Sequence, residues 1–185
     1  MVNDLIKKTE NHMKMTIEAT KKEFQTLRTG RASAGVLDRV VVEYYGNPSP
    51  LNQVASITIP DPRTIAIQPW DKTLLASIEK AIQKADLGLN PVNDGTVIRL
   101  PVPQLTEERR KELVKVVRKE AEEKRVAIRN LRRDTNDKIK SLEKGSKITE
   151  DESKKGLDET QKLTDKYIAE IDKLLAQKEK EILEV

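Results

Sequence analysis

The chain has 185 residues, 36% of them charged and only 3% aromatic, with a formal net charge of +4. It has no cysteine and a single histidine, His12, which excludes disulfides, thiolate metal sites, a cysteine nucleophile and any multi-histidine metal centre. No apolar run nears the roughly 18 residues of a membrane span and Met1-Val2-Asn3-Asp4-Leu5 carries no leader pattern, so a soluble cytoplasmic protein of one or two domains is expected.

In chain order, a first helix is predicted from near Asn3, as its N-cap, to Thr29. Its stripe is Val2, Leu5, Thr9, Met13, Thr16, Thr20, Phe24 and Leu27, spaced by three and four, and Gly30 is placed to end it. The texture then changes. Val40-Val41-Val42-Glu43-Tyr44-Tyr45 reads as a strand that Gly46-Asn47-Pro48-Ser49-Pro50 breaks. Ser56–Ile59 and Thr64–Gln68 flank Pro60-Asp61-Pro62-Arg63 as a hairpin. Leu74, Leu75, Ile78, Ala81, Ile82 and Ala85 trace one face of a short helix that stops at Leu87-Gly88, and Asn93-Asp94-Gly95 turns into a last strand from Thr96 to Leu100.

A second long helix is predicted from Thr106 to about Lys144, with the seam Val114, Val117, Ala121, Lys124, Ile128, Leu131, Thr135, Lys138 and Leu142. A third opens with the capping-box pattern Thr149-Glu150-Asp151-Glu152, and its seam is Leu157, Thr164, Ile168, Ile171, Leu175 and Ile182. Neither can bury its stripe alone, so a long antiparallel three-helix bundle is the simplest packing. All eight prolines lie between the first two long helices or at the exit of that segment. The expectation is an α+β protein. Residues 1–29 and 106–185 form the bundle, and 30–105 form an inserted small mixed α/β domain. The two connections, Thr29-Gly30-Arg31 and Pro101-Val102-Pro103-Gln104-Leu105, read either as a hinge or as a fixed elbow.

Charge is unevenly spread. Residues 106–145 hold 14 Lys/Arg against 9 Asp/Glu, while 146–185 hold 8 against 11, and residues 30–105 balance at 7 and 7. On a helical wheel, Lys111, Arg118, Arg125, Arg129, Arg132, Asn136 and Lys140 share one side of the second long helix, with Lys115 and Arg133 at the border. Glu122 and Glu143 interrupt this stripe. A planar guanidinium holds phosphate oxygens in paired hydrogen bonds, so Arg125, Arg129 and Arg132 read as an RNA-backbone contact. The other reading is a solvated face paired with the acidic third helix through Glu159, Asp165 or Asp172. Five Tyr, Trp and Phe residues are too few for base-stacking platforms. Asp86-Leu87-Gly88-Leu89-Asn90-Pro91 lacks the glycines and lysine of a phosphate loop. Glu150, Asp151 and Glu152 suit a helix N-terminus without any cation. No enzyme is expected, and no metal.

Several strings resemble one family. Leu27-Arg28-Thr29-Gly30-Arg31-Ala32, Glu43-Tyr44-Tyr45-Gly46, Glu79-Lys80-Ala81-Ile82 and Asp86–Pro91 are similar to the bacterial ribosome recycling factors. So are Leu105-Thr106-Glu107-Glu108-Arg109-Arg110-Lys111, Arg129-Asn130-Leu131-Arg132-Arg133 and Gln161-Lys162-Leu163-Thr164-Asp165. One departure is Ser33-Ala34, where the family often has a polar residue and a proline. The resemblance implies an L-shaped, two-domain protein with the outline of a transfer RNA. It implies binding to the post-termination ribosome, mainly to large-subunit rRNA, and subunit splitting together with elongation factor G. GTP would be used by that partner, so no cofactor is expected here, and a monomer is. Arg132 is the first RNA-contacting position it implies, then Arg129, with Arg110, Arg28 and Arg31 after them, and the charge stripe itself adds Arg125 and Arg133. The alternative is a helical structural or chaperone-like module serving protein partners.

Overall fold

The computed structural model describes residues 1–184. Along them run helices α1 (Val2–Thr26), α2 (Leu51–Val54), α3 (Leu75–Lys84), α4 (Glu107–Lys144) and α5 (Glu150–Leu183). The strands are β1 (Val41–Tyr44), β2 (Asn47–Pro50), β3 (Ala55–Asp61), β4 (Thr64–Pro69), β5 (Val92–Asn93) and β6 (Ile98–Pro101). The chain divides into two units, Met1–Leu27 with Lys111–Leu183, and Arg28–Arg110.

The first unit is the three-helix bundle of α1, α4 and α5. At 1.5 Å per residue, α4 is about 57 Å long and α5 about 51 Å. Contacts between Thr9 and Thr135, and between Glu23 and Lys124, set α1 antiparallel to α4. Arg118 with Glu179 and Arg125 with Asp172 set α4 antiparallel to α5. The α1–α5 pair is therefore parallel, and it is the most closely approaching pair of the three. Small residues on α5 allow this: Ser153, Gly156, Thr160 and Thr164 are all buried. A Cβ on Gly156 would lie 2.8 Å from Val2 Cγ1 and 3.2 Å from Ile139 Cδ1.

The helix interiors differ in detail from the sequence expectation. Residues Ile6, Thr9, Met13, Ile17, Thr20 and Phe24 of α1 are buried, so Ile6 and Ile17 replace Leu5 and Thr16 at the centre of the stripe. In α4 the buried set is Leu113, Val117, Ala121, Ile128, Thr135 and Ile139, while Lys138 is exposed. A strict 3.5-residue seam drifts about 20° per heptad on a straight helix, so by the far end Ile139 has moved inward and Lys138 out. In α5 the buried positions include Gly156, Thr160 and Tyr167, whereas Leu157, Ile168 and Leu175 are half-buried. In the first half of α5 the close approach of α1 selects Gly156 and Thr160 over Leu157 beside them, whereas Tyr167, Ile171 and Ile182 fill the second half.

Termini differ as well. Helix α1 begins at Val2 with Met1 as N-cap, two residues before the expected cap Asn3. It stops at Thr26, where Leu27 turns extended with φ −74° and ψ 123°, well short of Gly30. After α4 the left-handed residue is Ser146 at φ +52°, not Gly145, and Lys147 N donates to Leu142 O at 2.9 Å to close the end. The capping box of α5 forms on both sides. Thr149 N donates to Glu152 Oε2 at 2.8 Å, and Glu152 N donates to Thr149 Oγ1 at 3.2 Å.

In the α/β unit, β3, β4, β6 and β5 pair in that order, all antiparallel. Ile67 opposes Ile98 and Ile65 opposes Leu100, which aligns one apolar face of the sheet. That face, helix α3 through Ile78 and Ile82, and Leu37, Val42 and Leu51 form one aliphatic core. The segment expected to break the first strand is itself strand β2, pairing Asn47 with Tyr44 and Pro50 with Val41. A hairpin tightened by Tyr45 and Gly46 in left-handed conformations tolerates Pro48 and Pro50, because β2 pairs on one side only.

Candidate nucleic-acid interface

Helix α4 has two flanks. Toward α1, Lys124 Nζ donates to Glu23 Oε1 at 2.7 Å. Glu120 is half-buried there, and burial first, then the Glu23 charge, raises its pKa against the opposing pull of Lys124. This flank is acidic and closed on itself.

The flank beside α5 changes character along its length. Arg118 Nε pairs with Glu179. Arg125 is enclosed further: Nε and Nη2 donate to Asp172 Oδ1 at 2.8 and 2.6 Å, and Nη1 donates to Glu122 Oε2 at 3.0 Å. Its side chain is only 19% exposed. Burial works against its charge, but the bonds to Asp172 and Glu122 outweigh that and raise its pKa above the ordinary value. Two carboxylates thus compensate one guanidinium. Arg129 Nη1 reaches back to Glu122 Oε1 at 3.0 Å, and its side chain is 39% exposed. Its hydrogen bond to Glu122, followed by that of Arg125, holds the Glu122 carboxyl below the usual range.

Beyond Arg129 no carboxylate of the described residues pairs directly with Arg132. Arg132 Nη1 donates to the neutral amide oxygen of Gln161 at 3.2 Å. Arg133 and Lys140 are exposed and form no hydrogen bond or ion pair with the described residues. Of the stripe read from sequence, Arg129, Arg132 and Arg133 therefore come together with charge to spare, and Arg125 is structural glue between α4 and α5. The pairing partner Asp172 was among the acidic positions the sequence suggested. Glu122, which reads in sequence as an interruption, bridges two arginines. Gln161 carries no charge and so no electrostatic signal in the sequence.

The remaining candidates lie in the α/β unit. Arg28 Nη1 donates to Leu87 O at 2.7 Å, tying the Leu87-Gly88 turn. Arg31 is exposed, and Arg110 is half-buried with a buried Nε that has no partner. Of the connections, Thr29 is buried, and Gly30 sits at φ +79° with Leu105 Cγ 3.1 Å from where a Cβ would be. Ala32 N donates to Pro62 O and Val102 N donates to Arg63 O, each at 2.7 Å. Pro101 ends β6 opposite Thr64, so it belongs to the sheet, while Pro103 and Gln104 are exposed. Among the described residues, no group of three or more His, Cys, Asp and Glu could hold a metal ion, and no helix is long and apolar enough to cross a membrane.

The family described as ribosome recycling factor matches residues 20–183 of the chain. This chain belongs to the ribosome recycling factor family. The ribosome-recycling factor of Syntrophomonas wolfei is 60% identical over 185 residues, covering 100% of both chains. That of Clostridioides difficile is 59% identical over 182 residues, covering 98% of each. A solution structure of the ribosome recycling factor matches with a TM-score of 0.79 at 47% identity, covering 100% of this chain and 98% of that one. Another match, with a TM-score of 0.66 at 50% identity and 99% coverage of each chain, is the Thermus thermophilus ribosome recycling factor. There it stands with Escherichia coli elongation factor G on the E. coli post-termination complex. The long helices and small sheet domain found here are those of the ribosome recycling factor family, whose members are translation factors and not enzymes.

Proposed function

We propose that this chain binds the post-termination ribosome through the basic face of α4 and, with elongation factor G and GTP, promotes its dissociation into subunits. The observation that carries the reading is the fading of carboxylate compensation from Arg125 through Arg129 to Arg132 and Arg133. Phosphate oxygens of large-subunit rRNA complete the guanidinium contacts that the protein leaves open. The factor acts in the cytoplasm as a monomer, performs no covalent chemistry and takes no cofactor, GTP being hydrolysed by the elongation factor.

Motion between the units supplies the mechanical step. Ala32 and Val102 are bonded to the β3–β4 turn, so the pivots are the short stretches on either side, Leu27–Gly30 and Pro103–Thr106. Arg28 and Arg31 then act near a pivot and contribute less to RNA affinity than Arg132.

The test is sedimentation of vacant ribosomes with this protein, elongation factor G and GTP. Free subunits should accumulate only when all three are present. Arg132→Ala should weaken ribosome binding about tenfold or more, the scale of a lost charge-assisted contact, with the melting temperature unchanged. Binding that is insensitive to salt would favour the protein-interaction module instead, since a phosphate contact weakens log-linearly with ionic strength.

A further inference from the structure

We propose that Gln161 is a positioning residue for Arg132, holding its guanidinium in place without cancelling its charge. The inference rests on the reading that Arg132 meets RNA phosphate. Its basis is the sequence of acceptors that α5 offers to α4: Glu179 to Arg118, Asp172 to Arg125, and then Gln161 to Arg132. At the third step Asp165 holds the register that Glu179 and Asp172 hold, but it bonds the Gln161 amide, and it is the neutral amide that meets Arg132.

The amide is itself oriented. Gln161 Nε2 donates to Asp165 Oδ1 at 2.9 Å, one turn along α5. An ionised carboxylate only accepts hydrogen bonds, so it can take the NH₂ end of the amide and no other. The carbonyl end is thereby turned to Arg132 Nη1, at 3.2 Å. A free arginine side chain loses rotamer entropy when a phosphate fixes it. Gln161 removes part of that loss in advance. A carboxylate at the same place would orient Arg132 equally well, but phosphate would then have to displace or share an ion pair, as at Arg125.

Two substitutions separate orientation from charge. Gln161→Leu deletes the acceptor with no change in charge, and Gln161→Glu keeps an acceptor of equal size and adds the anion. Full-length variants are titrated against vacant ribosomes with elongation factor G and GTP. Gln161→Leu should raise the concentration for half-maximal splitting about threefold to tenfold, the net range of one ordinary hydrogen bond. Gln161→Glu should raise it about tenfold and lower the slope of log affinity against log salt by roughly one, as expected when one cation is neutralised. The splitting rate at saturation and the melting temperature should not fall in either. In an Arg132→Ala background both effects should vanish.

Parent-like titrations of both Gln161 variants, with Arg132→Ala impaired, would overturn the proposal. So would a Gln161→Glu effect that persists without Arg132, which marks general repulsion, or a lowered melting temperature in either variant, which marks a structural role. If Arg132→Ala itself titrates like the parent, the RNA reading beneath the inference fails instead.

Discussion

In the α/β unit, Ile65, Ile67, Ile98 and Leu100 meet Ile78 and Ile82 with no buried polar side chain among them. At the same depth in the bundle lie Thr9, Thr20, Thr135, Ser153, Thr160 and Thr164. The difference follows from where each backbone finds its hydrogen bonds. A helical hydroxyl can return to the carbonyl four residues back, as Thr20 does to Thr16 O, Thr160 to Gly156 O and Thr164 to Thr160 O, at 2.7 to 2.8 Å. A strand in a sheet has its carbonyls occupied by neighbouring strands, so a buried hydroxyl there would go unsatisfied. Long helices therefore tolerate a polar interior that a small sheet domain does not.

The largest test of this contrast is Ile67→Ala. It should cost about 2–5 kcal/mol, read as a fall in the urea midpoint and as faster amide exchange in β4 and β6. A loss below 1 kcal/mol would mean that the aliphatic core is looser than its complete burial indicates.

Tyr167→Phe probes a bundle-core group whose hydrogen bond crosses between helices. Tyr167 Oη donates to Glu10 Oε1 at 2.9 Å, and its loss should cost about 1–2 kcal/mol near neutral pH. Burial, then Glu10, pushes the Tyr167 pKa up to about 12. A phenol whose pKa rises on folding stabilises the fold fully below its unfolded value of about 10. That contribution is lost as pH climbs toward the folded value. The Glu10 carboxyl is lowered, first by the Tyr167 hydrogen bond, so its contribution is complete above the ordinary carboxylate range and disappears in acid. Stability against pH should accordingly be flat between these limits and fall on both sides, and Tyr167→Phe should flatten both arms.

The smallest expected effect is at Thr135. Thr135 Oγ1 lies 2.8 Å from Leu131 O, Thr9 Oγ1 lies 2.9 Å from Leu5 O, and the two hydroxyls are 2.6 Å apart. Two hydroxyls hold two protons, so the three contacts cannot all be hydrogen bonds at once. Thr135→Val leaves Thr9 its own carbonyl and should change stability by less than about 0.5 kcal/mol, checked by thermal denaturation. A loss above 2 kcal/mol would show that the hydroxyl pair, and not the local carbonyls, holds the helices together.

Much of this organisation is legible in one dimension. Apolar spacing of three and four marks α1, α4 and α5, and alternation with proline and glycine marks the sheet unit between them, because each element's period is a local property of the chain. The arginine cluster on α4 is equally visible. Ile139 and Gly156 escape notice, since which flank of a long stripe turns inward depends on the approach of two other helices. The strand β2 escapes because Pro48 and Pro50 carry a breaker's signature, which a one-sided pairing overrides.

The sequence by itself determined the helical and strand segments, the basic stretch from Arg125 to Arg133 and the resemblance that names the family. Only the tertiary structure decided which of those arginines keep an uncompensated charge. Beyond the nearby Glu122, compensation depends on Asp172 and Glu179, 47 and 61 positions away along the chain, and Coulomb interactions act through distances that linear spacing does not encode.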